Sequence, residues 1–423
     1  MNKKELLERK IRRNRIIYMS LFILLVAILG TTMLLYGFRY KEVTDKAFRI
    51  METKEKKIER IESHYGKRVE LQKDSDIYTL SDNKYQKVGL IKKSQLISLD
   101  ELEINEKTEY FPIANSDYYI KYENLKPSKK EKVELETKLI PFNENVKTKS
   151  GAKFYQNEKH AMTLDEEKSL VILVKEDDYY VVIYDDELFE VKVDDVKEVF
   201  DNENTDREVA KEVPVLNYHF LYDPANKDVC NQIICLKISV FKQHLQYLKD
   251  NNFMALTMRE FEMWYSKKIR IPKKAVLITF DDGTIKTDKY LGPILEEYET
   301  PGTLFLVTSW FDYKIFKNDY LEVHSHGHNM HGISKPSPAL KMSKEELSKD
   351  FDASIAALDG ENTGFAYPFY QYNDRILEVV KTKFKVAFIG GNRKAKQSHN
   401  RYLLPRIVIF HKHNLEAFKK LVN

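Results

Sequence analysis

Two carboxylate residues stand side by side in this chain. Asp281 and Asp282 follow the apolar residues 275–280 and precede Gly283. The carboxyl end of a buried strand is where α/β barrels build their active sites, and a glycine permits the sharp turn that would bring both acids to one centre. Asp and Gly are also common in helix caps and tight turns. Taken alone, the motif supports both interpretations.

Four of the eleven histidines lie within eight residues, at His324, His326, His328 and His331. Imidazole nitrogens bind zinc at ~2.0 Å, and a catalytic zinc takes three protein ligands and leaves one position for water. On a strand His324 and His326 would share a face, and a turn could bring His331 back beside His326. We interpret the cluster as a metal site. The alternative is a surface cluster that takes up metal incidentally.

Strands and helices alternate around these motifs. Short apolar runs bounded by polar residues predict strands, and apolar residues at helical spacing predict helices. Their alternation argues for α/β structure, with a parallel, distorted (β/α) barrel as the catalytic domain over residues 212–423. The predicted strands are 215–220, 275–280, 302–308, 365–368, 386–389 and 407–410, and the predicted helices are 240–250, 289–298 and 343–358.

Residues 67–200 have a different pattern, with short β-rich runs separated by polar turns. Two such runs with a polar turn between them, over residues 76–91, predict a β-hairpin. We expect two small all-β modules, 67–130 and 131–200, and a charged linker, 201–211, before the α/β domain. The modules resemble bacterial SH3-like barrels. We favour a spacer or platform over a specific polymer-binding role.

The first residues predict a membrane anchor. Residues 1–15 contain seven basic and two acidic side chains, and residues 16–38 carry no charge. An apolar run of this length crosses a hydrocarbon core of ~30 Å as a helix, and the basic flank predicts a cytoplasmic tail. The run is longer than a signal peptide requires and lacks an A-x-A-like cleavage site. We expect one uncleaved transmembrane helix, a helical stalk over residues 39–66 and an extracellular catalytic domain at the cell membrane.

The charge beyond the basic tail argues against nucleic acid as a partner and leaves protein partners open. Beyond the basic tail the chain is close to neutral, so it lacks the basic field that nucleic-acid binding requires. Cys230 and Cys235 are the two cysteines. A local disulfide between them suits an extracytoplasmic protein, but the sequence leaves their state open, and it does not identify protein partners.

Four short segments, in order along the chain, resemble the motifs of the NodB-homology polysaccharide deacetylases, carbohydrate esterase family 4. The resemblance is to the subgroup that acts on poly-N-acetylglucosamine, and it covers about half the chain, from residue 212 to residue 423. The segments are residues 213–219 (VPVLNYH), 279–283 (TFDDG), 325–331 (SHGHNMH) and 365–369 (FAYPF).

The resemblance implies a metal centre and a reaction. Asp282, His326 and His331 would hold a divalent metal, with zinc as the default and cobalt or nickel as alternatives. The reaction would be removal of N-acetyl groups from a cell-surface polymer that contains N-acetylglucosamine. Two other functions are compatible with the sequence, namely a wall-binding scaffold without catalysis and an O-acetyl esterase on the same fold.

The resemblance also implies the residues that move protons. Asp281 would be the general base, His219 the general acid for the departing amine, and the backbone N–H of Phe369 a donor to the oxyanion. Many relatives have an arginine where Ala366 stands, and that arginine steadies the base. Arg406 is our candidate replacement, and a purely structural salt bridge of Arg406 is the alternative.

Other residues near the motifs are weaker candidates. The C-terminal Leu-x-x-His motif of the family is not evident, and we expect His411 and His413 to be surface residues. We expect His324 to support the metal ligands and His328 to be exposed. Among the nearby aromatic residues we expect Tyr370 to stack on a sugar ring, because it follows the last motif into a loop.

Overall fold

The computed structural model describes Met19 and residues 68–100, 108–114, 116–129, 137–185, 187–202, 208–316 and 318–423. Apart from Met19, the predicted tail, transmembrane helix and stalk lie outside the described residues. Within the described ranges, no helix combines the length and apolarity needed to span a bilayer. The chain divides into two compact units, Met1–Val133 and Glu134–Asn423.

The first unit is mainly β over the described part of residues 68–129. One hairpin turns at Asp82 and Asn83, which have φ angles of 49° and 59°. Asp and Asn tolerate this left-handed conformation, and two such residues in succession match the twist of a two-residue hairpin. The strands pair antiparallel in the orders β4-β1-β7 and β3-β2-β6-β5. The strands are β1 (Arg68–Leu71), β2 (Ser75–Ser81), β3 (Lys84–Ile91), β4 (Leu96–Ser98), β5 (Tyr110–Pro112), β6 (Tyr118–Lys121) and β7 (Leu125–Pro127).

The second unit begins with seven antiparallel strands in the order β14-β8-β11-β12-β13-β9-β10. Alternate residues of these strands, such as Phe154, Ile172 and Val182, are wholly buried, as expected for a sheet with one face in a core. Val174 of this region forms an antiparallel bridge with Ile269 of the α/β region. The strands are β8 (Glu144–Thr148), β9 (Ala152–Gln156), β10 (Lys159–Leu164), β11 (Ser169–Lys175), β12 (Tyr179–Tyr184), β13 (Glu187–Lys192) and β14 (Val196–Asp201).

The rest of the second unit is a parallel α/β barrel. Seven parallel strands follow the order β16-β26-β24-β23-β22-β21-β20, and pairing of β16 with β20 closes the ring. The strands are β15 (Glu212–Val213), β16 (Val215–Tyr218), β17 (Phe220–Tyr222), β18 (Cys235–Lys237), β19 (Met254–Ala255), β20 (Ala275–Asp282), β21 (Gly302–Leu306), β22 (Leu321–Ser325), β23 (Gly364–Ala366), β24 (Val386–Gly390), β25 (Ala395–Lys396) and β26 (Leu404–Val408). The helices are α1 (Ile238–Asp250), α2 (Met258–Tyr265), α3 (Ile285–Glu297), α4 (Lys344–Ala357), α5 (Asp374–Lys383) and α6 (Leu415–Val422).

The barrel strands are buried on both faces, and alternate residues belong to different clusters. Leu216 and Ile278 pack with apolar residues of helices α1 and α3, whereas Val215, Leu277 and Phe305 belong to a second cluster with Trp264. Burial on both faces explains the nearly continuous apolar runs that predicted these strands. Polar residues at the same alternate positions as Val215 and Leu277, such as Asn217, Thr279 and Asp281, therefore belong to the inner face.

Some predicted elements had the wrong bounds. Helix α3 begins at Ile285, four residues before the predicted start, because Thr284 and Thr287 form a capping box at its N-terminus. The last barrel strand begins at Leu404 rather than 407. Cys230 and Cys235, whose state the sequence left open, form a disulfide, and it closes the loop before β18. Helices α2, α5 and α6 were not predicted.

Candidate active site

Strand β20 ends in the two adjacent acids, at the carboxyl end of the barrel strands. Asp281 and Asp282 are both buried, and the φ angles of Asp282 and Gly283 are 72° and 87°. Glycine is required at 283 because a Cβ atom there would lie 2.4 Å from Leu306 Cδ1, in a conformation that side chains disfavour. Neighbouring side chains on a regular strand point to opposite faces. This turn is what lets consecutive acids serve one centre.

Asp282 lies beside two of the four clustered histidines. Its Oδ1 atom is 3.4 Å from His326 Nε2 and 3.1 Å from His331 Nε2. One ligand atom from each of the three residues lies within 4.8 Å of the others, and no other such group of His, Cys, Asp and Glu occurs in the described part of the chain. A carboxylate oxygen and two imidazole nitrogens suit zinc, cobalt or nickel.

Backbone carbonyls orient both imidazoles. His326 Nδ1 lies 2.8 Å from the carbonyl oxygen of Ala366, and His331 Nδ1 lies 2.8 Å from that of Gly332. When Nδ1 carries the proton that it donates, a neutral ring turns the lone pair of Nε2 toward Asp282. That arrangement suits a cation among the three atoms, and a hydrogen-bonded carbonyl is a usual partner of a metal-bound imidazole. The donor set therefore fits a divalent metal.

The charge of Asp282 persists in spite of its burial. Burial opposes ionisation, but the contacts of the carboxylate with His326 and His331 outweigh it and lower the pKa of Asp282 below its usual value. Asp282 is therefore ionised at neutral pH, as a metal ligand must be.

Asp281 is held by an arginine from the last barrel strand. Arg406 Nη1 and Nη2 donate to the two carboxylate oxygens of Asp281 at 2.6 and 2.7 Å, and both side chains are buried. Burial raises the pKa of Asp281, but the charge of Arg406 reverses this effect and holds the pKa below its usual value. A planar guanidinium that binds both oxygens fixes the plane of the carboxylate. Arg406 thus makes the contact with Asp281 that was expected of it, and its role in place of the motif arginine stays a prediction.

His219 follows strand β16 and reaches the same carboxylate. Its Nε2 atom lies 4.0 Å from Asp281 Oδ2, and the ring is largely buried. Its Nδ1 atom has no hydrogen-bond partner among the described residues. Burial lowers the pKa of His219, although Asp281 and Asp282 act in the opposite direction. A buried imidazole with a free ring nitrogen beside the centre can deliver a proton to a bound group.

Phe369 closes the site on the side of His331. The two rings lie 4.3 Å apart between centroids, and Phe369 has a left-handed backbone with φ of 56°. The N–H of Phe369 has no hydrogen-bond acceptor among the described residues. This free donor beside a ligand of the cluster is suited to a developing negative charge.

A residue that the sequence analysis missed shapes the loop between the two histidine ligands. Asp350, in the middle of helix α4, accepts hydrogen bonds from the N–H groups of His328 and Asn329 at 2.8 and 2.7 Å. It is buried, and burial raises its pKa. A single Asp in an amphipathic helix gives no signal of such a contact in the sequence.

The remaining candidates lie outside this centre. His324 is buried between carboxylates, with Nε2 3.8 Å from Glu322 and Nδ1 3.4 Å from Glu361. His328 is half-buried rather than exposed, and its Nδ1 atom lies 3.0 Å from Thr308 Oγ1.

His411 is exposed as expected, and His413 is half-buried. The backbone carbonyl of His413 accepts a hydrogen bond from the buried His244.

Known proteins resemble this chain over its α/β region. Residues 268–384 match the family model for polysaccharide deacetylases. The poly-beta-1,6-N-acetyl-D-glucosamine N-deacetylase of Staphylococcus aureus (strain MRSA252) is 29% identical over 231 residues, which cover 49% of this chain and 77% of that protein. The enzyme of the same name from Staphylococcus epidermidis is 29% identical over 243 residues, with 49% and 81% covered.

Two solved structures are similar at lower identity. The Streptococcus pyogenes deacetylase PplD, in complex with acetate, has a TM-score of 0.44 at 23% identity and covers 50% of this chain and 98% of its own. IcaB from Ammonifex degensii has a TM-score of 0.42 at 18% identity, with 51% and 97% covered.

Proposed function

We propose that this chain, which carries a polysaccharide deacetylase domain homologous to the staphylococcal poly-beta-1,6-N-acetylglucosamine N-deacetylases, removes N-acetyl groups from a polysaccharide of N-acetylglucosamine. The observation that carries this proposal is one composite centre. Asp282, His326 and His331 offer three metal ligands, and the adjacent Asp281 is held by Arg406 with His219 beside it. Together they supply what hydrolysis of an unreactive amide needs.

A divalent metal held by Asp282, His326 and His331 would polarise the acetamide carbonyl and lower the pKa of water toward ~7. Asp281 is placed next to that group of ligands, and Arg406 fixes its carboxylate, so Asp281 takes the proton of the attacking water. Because Asp281 directly precedes the ligand Asp282 in the chain, its carboxylate stays close to a water molecule at the metal site, as this proton transfer requires.

The other two residues act on the substrate. The free N–H of Phe369 donates to the oxygen that becomes negatively charged as the carbonyl is attacked. His219 donates a proton to the departing amine nitrogen, since a neutral amine is a far better leaving group than an amide anion. The products are acetate and a glucosamine unit with a free amine.

We further propose the setting in which this reaction takes place. The uncharged residues 16–38 and the basic tail before them support an anchor in the cell membrane, with the catalytic domain outside. Zinc is the proposed metal, because its preference for imidazole and carboxylate ligands matches this donor set. The two all-β regions that precede the barrel are proposed to be SH3-like spacers that hold it away from the membrane.

Acetate release tests the function. The full-length chain is assayed on β-1,6-linked N-acetylglucosamine oligomers, beside Asp282→Asn and His326→Ala, and bound metal is measured in each sample. His328→Gln is the matched control, because this histidine lies in the same loop but outside the group of ligands. We expect near one metal per chain and acetate release for the wild type and the control, with both signals lost in the two ligand variants.

Other outcomes would redirect the proposal. If the wild type binds metal but releases no acetate, the proposed substrate is wrong, and peptidoglycan fragments would be assayed next. Acetate from O-acetylated but not N-acetylated oligomers would establish an esterase. Absence of bound metal in the wild type, after incubation with zinc, would support a scaffold instead.

A further inference from the structure

The guanidinium of Arg406 packs against Tyr370, a residue to which the family motifs assign no role. The Tyr370 ring lies 5.7 Å from the Arg406 carbon Cζ, and the Phe305 ring lies 5.3 Å from it. Rings at this distance attract a guanidinium and limit its movement. Thr279 Oγ1 accepts a third hydrogen bond from Arg406, at 3.3 Å. Arg406 is therefore confined by its neighbours as well as paired with Asp281.

Tyr370 is itself fixed by Asn217. The Tyr370 hydroxyl donates to Asn217 Oδ1 at 2.6 Å, and the Asn217 Nδ2 donates to the carbonyl oxygen of Tyr218 at 3.3 Å. The second bond determines which end of the amide faces Tyr370. Asn217 is wholly buried on strand β16, two residues before His219. A buried asparagine with both ends of its amide bonded is a rigid acceptor.

The backbone conformation of Tyr370 and the lack of a side chain at Gly390 both suit this position of the Tyr370 ring. Tyr370 has a left-handed φ of 63°, which is rare for an aromatic residue and directs the ring back over the barrel. A Cβ atom on Gly390, in strand β24, would lie 3.1 Å from Tyr370 Cγ. The ring thus fits against bare backbone on the side of Gly390.

We propose that Tyr370 and Asn217 are positioning residues that hold Arg406 against Asp281, and so align the general base. The inference rests on the proposed deacetylase function. Among the described residues Tyr370 makes no hydrogen bond to Asp281 or to the metal ligands, and it acts through the arginine. Its loss would therefore lower the rate of the chemical step without changing substrate binding or metal content.

The test is a set of paired substitutions. Tyr370→Phe keeps the ring and removes the hydroxyl, and Arg406→Lys keeps the charge but removes the planar fork. Tyr367→Phe is the matched control, because its buried hydroxyl in the same segment donates to the Tyr402 carbonyl oxygen, away from Arg406. For each variant kcat, KM, bound metal and the free energy of unfolding are measured on the full-length chain.

We expect Tyr370→Phe to lower kcat about fivefold, as loss of one hydrogen bond can do, with KM and metal content unchanged. Asn217→Leu, which removes the acceptor, should lower kcat at least as much. In the Arg406→Lys background Tyr370→Phe should have no further effect on kcat. The control should match the wild type.

Three results would overturn the inference. The first is that Tyr370→Phe lowers kcat equally in the wild-type and Arg406→Lys backgrounds. The second is that Tyr370→Phe raises KM and leaves kcat unchanged. The third is that the kcat of Tyr370→Phe equals that of the control Tyr367→Phe. If the wild type releases no acetate, the deacetylase proposal fails. The free energies of unfolding then test the positioning role on their own. If Tyr370 positions Arg406, the losses of stability caused by Tyr370→Phe and Arg406→Lys must be non-additive in the double variant. Additive losses would reject the positioning role.

Discussion

His219 and Asp281 face each other at 4.0 Å between Nε2 and Oδ2, although His219 follows strand β16 and Asp281 lies on strand β20, 62 positions further along the chain. One ring nitrogen of His219 faces Asp281, and the other has no partner among the described residues. The imidazole is therefore placed to act as the general acid that we propose.

This arrangement predicts that His219→Gln lowers kcat by about 10²- to 10⁴-fold, the usual contribution of a general acid. KM and bound metal should be unchanged, because His219 holds neither the metal nor, in our proposal, the ground-state substrate. Acetate release under saturating substrate measures the effect. The exposed His411→Gln is the control, and a variant of His219 that keeps wild-type kcat would remove it from the mechanism.

The ion pair between Arg406 and Asp281 predicts a stability effect that can be separated from catalysis. Arg406→Met leaves a buried carboxylate without its partner and should destabilise the protein by about 3–5 kcal/mol. The double variant Asp281→Asn with Arg406→Met should recover much of that stability, because the lone charge is gone, but should remain inactive.

Urea unfolding followed by tryptophan fluorescence measures this well. Both tryptophans of the chain, Trp264 and Trp310, lie in the α/β region, so the signal reports the barrel. Equal stability of the single and double variants would show that the charge of Asp281 is compensated by another group.

Asp350 predicts an effect on metal affinity without direct contact with the metal. Asp350→Ala would leave the buried N–H groups of the loop between His326 and His331 without their acceptor, which distorts the loop. We expect affinity for zinc to fall by about 10- to 100-fold, as for other residues that orient metal ligands. Asp352→Ala is the matched control, because Asp352 lies on the same helix but pairs with Lys383 at the surface.

Zinc titration of the metal-free chain gives the affinities. If Asp350→Ala and Asp352→Ala bind zinc alike, the loop does not depend on the buried carboxylate.

His244 predicts loss of stability in mild acid. It is wholly buried and stacks on Phe418. Its Nε2–H donates to the carbonyl oxygen of His413, and its Nδ1 accepts from the Tyr218 hydroxyl. Burial lowers the pKa of His244 to about 4, whereas an unfolded histidine titrates near 6.5. The unfolded state therefore binds a proton first as the pH falls. Stability is lost between pH 6.5 and 4, by up to about 3 kcal/mol.

The variant His244→Phe isolates this contribution. Its free energy of unfolding should be lower at neutral pH, because two hydrogen bonds are lost, but should depend less on pH between 6.5 and 4. His411→Gln, at an exposed position, should keep the wild-type slope. Equal slopes in all three proteins would mean that His244 does not titrate as its burial implies.

The features of the barrel and its centre that depend on residues adjacent in the chain could be predicted from the sequence. Residues 275–282 carry their strand, their acids and their turn within one short segment, and the spacing from His326 to His331 is within reach of one loop. Such features follow from alternation, turn chemistry and ligand type, which adjacent residues determine together.

The contacts made by distant residues were less predictable. The pairing of Arg406 with Asp281 was proposed only because the resemblance left a role vacant at Ala366. The bond from Tyr370 to Asn217 was not predicted at all, and the expected sugar contact of Tyr370 stays a prediction. Each depends on which strands become neighbours in the closed barrel, and residue spacing along the chain does not report that.

The order of strands in the barrel also has a consequence for how the protein is made. Strand β16, at residues 215–218, completes its pairing with β26, at residues 404–408, so almost the whole domain must have left the ribosome before the ring can close. Until then Asp281 lacks its arginine and two strand edges stay open, which favours slow folding and exposes the nascent chain to aggregation. We therefore expect that truncation before residue 404 yields insoluble protein rather than a smaller folded domain.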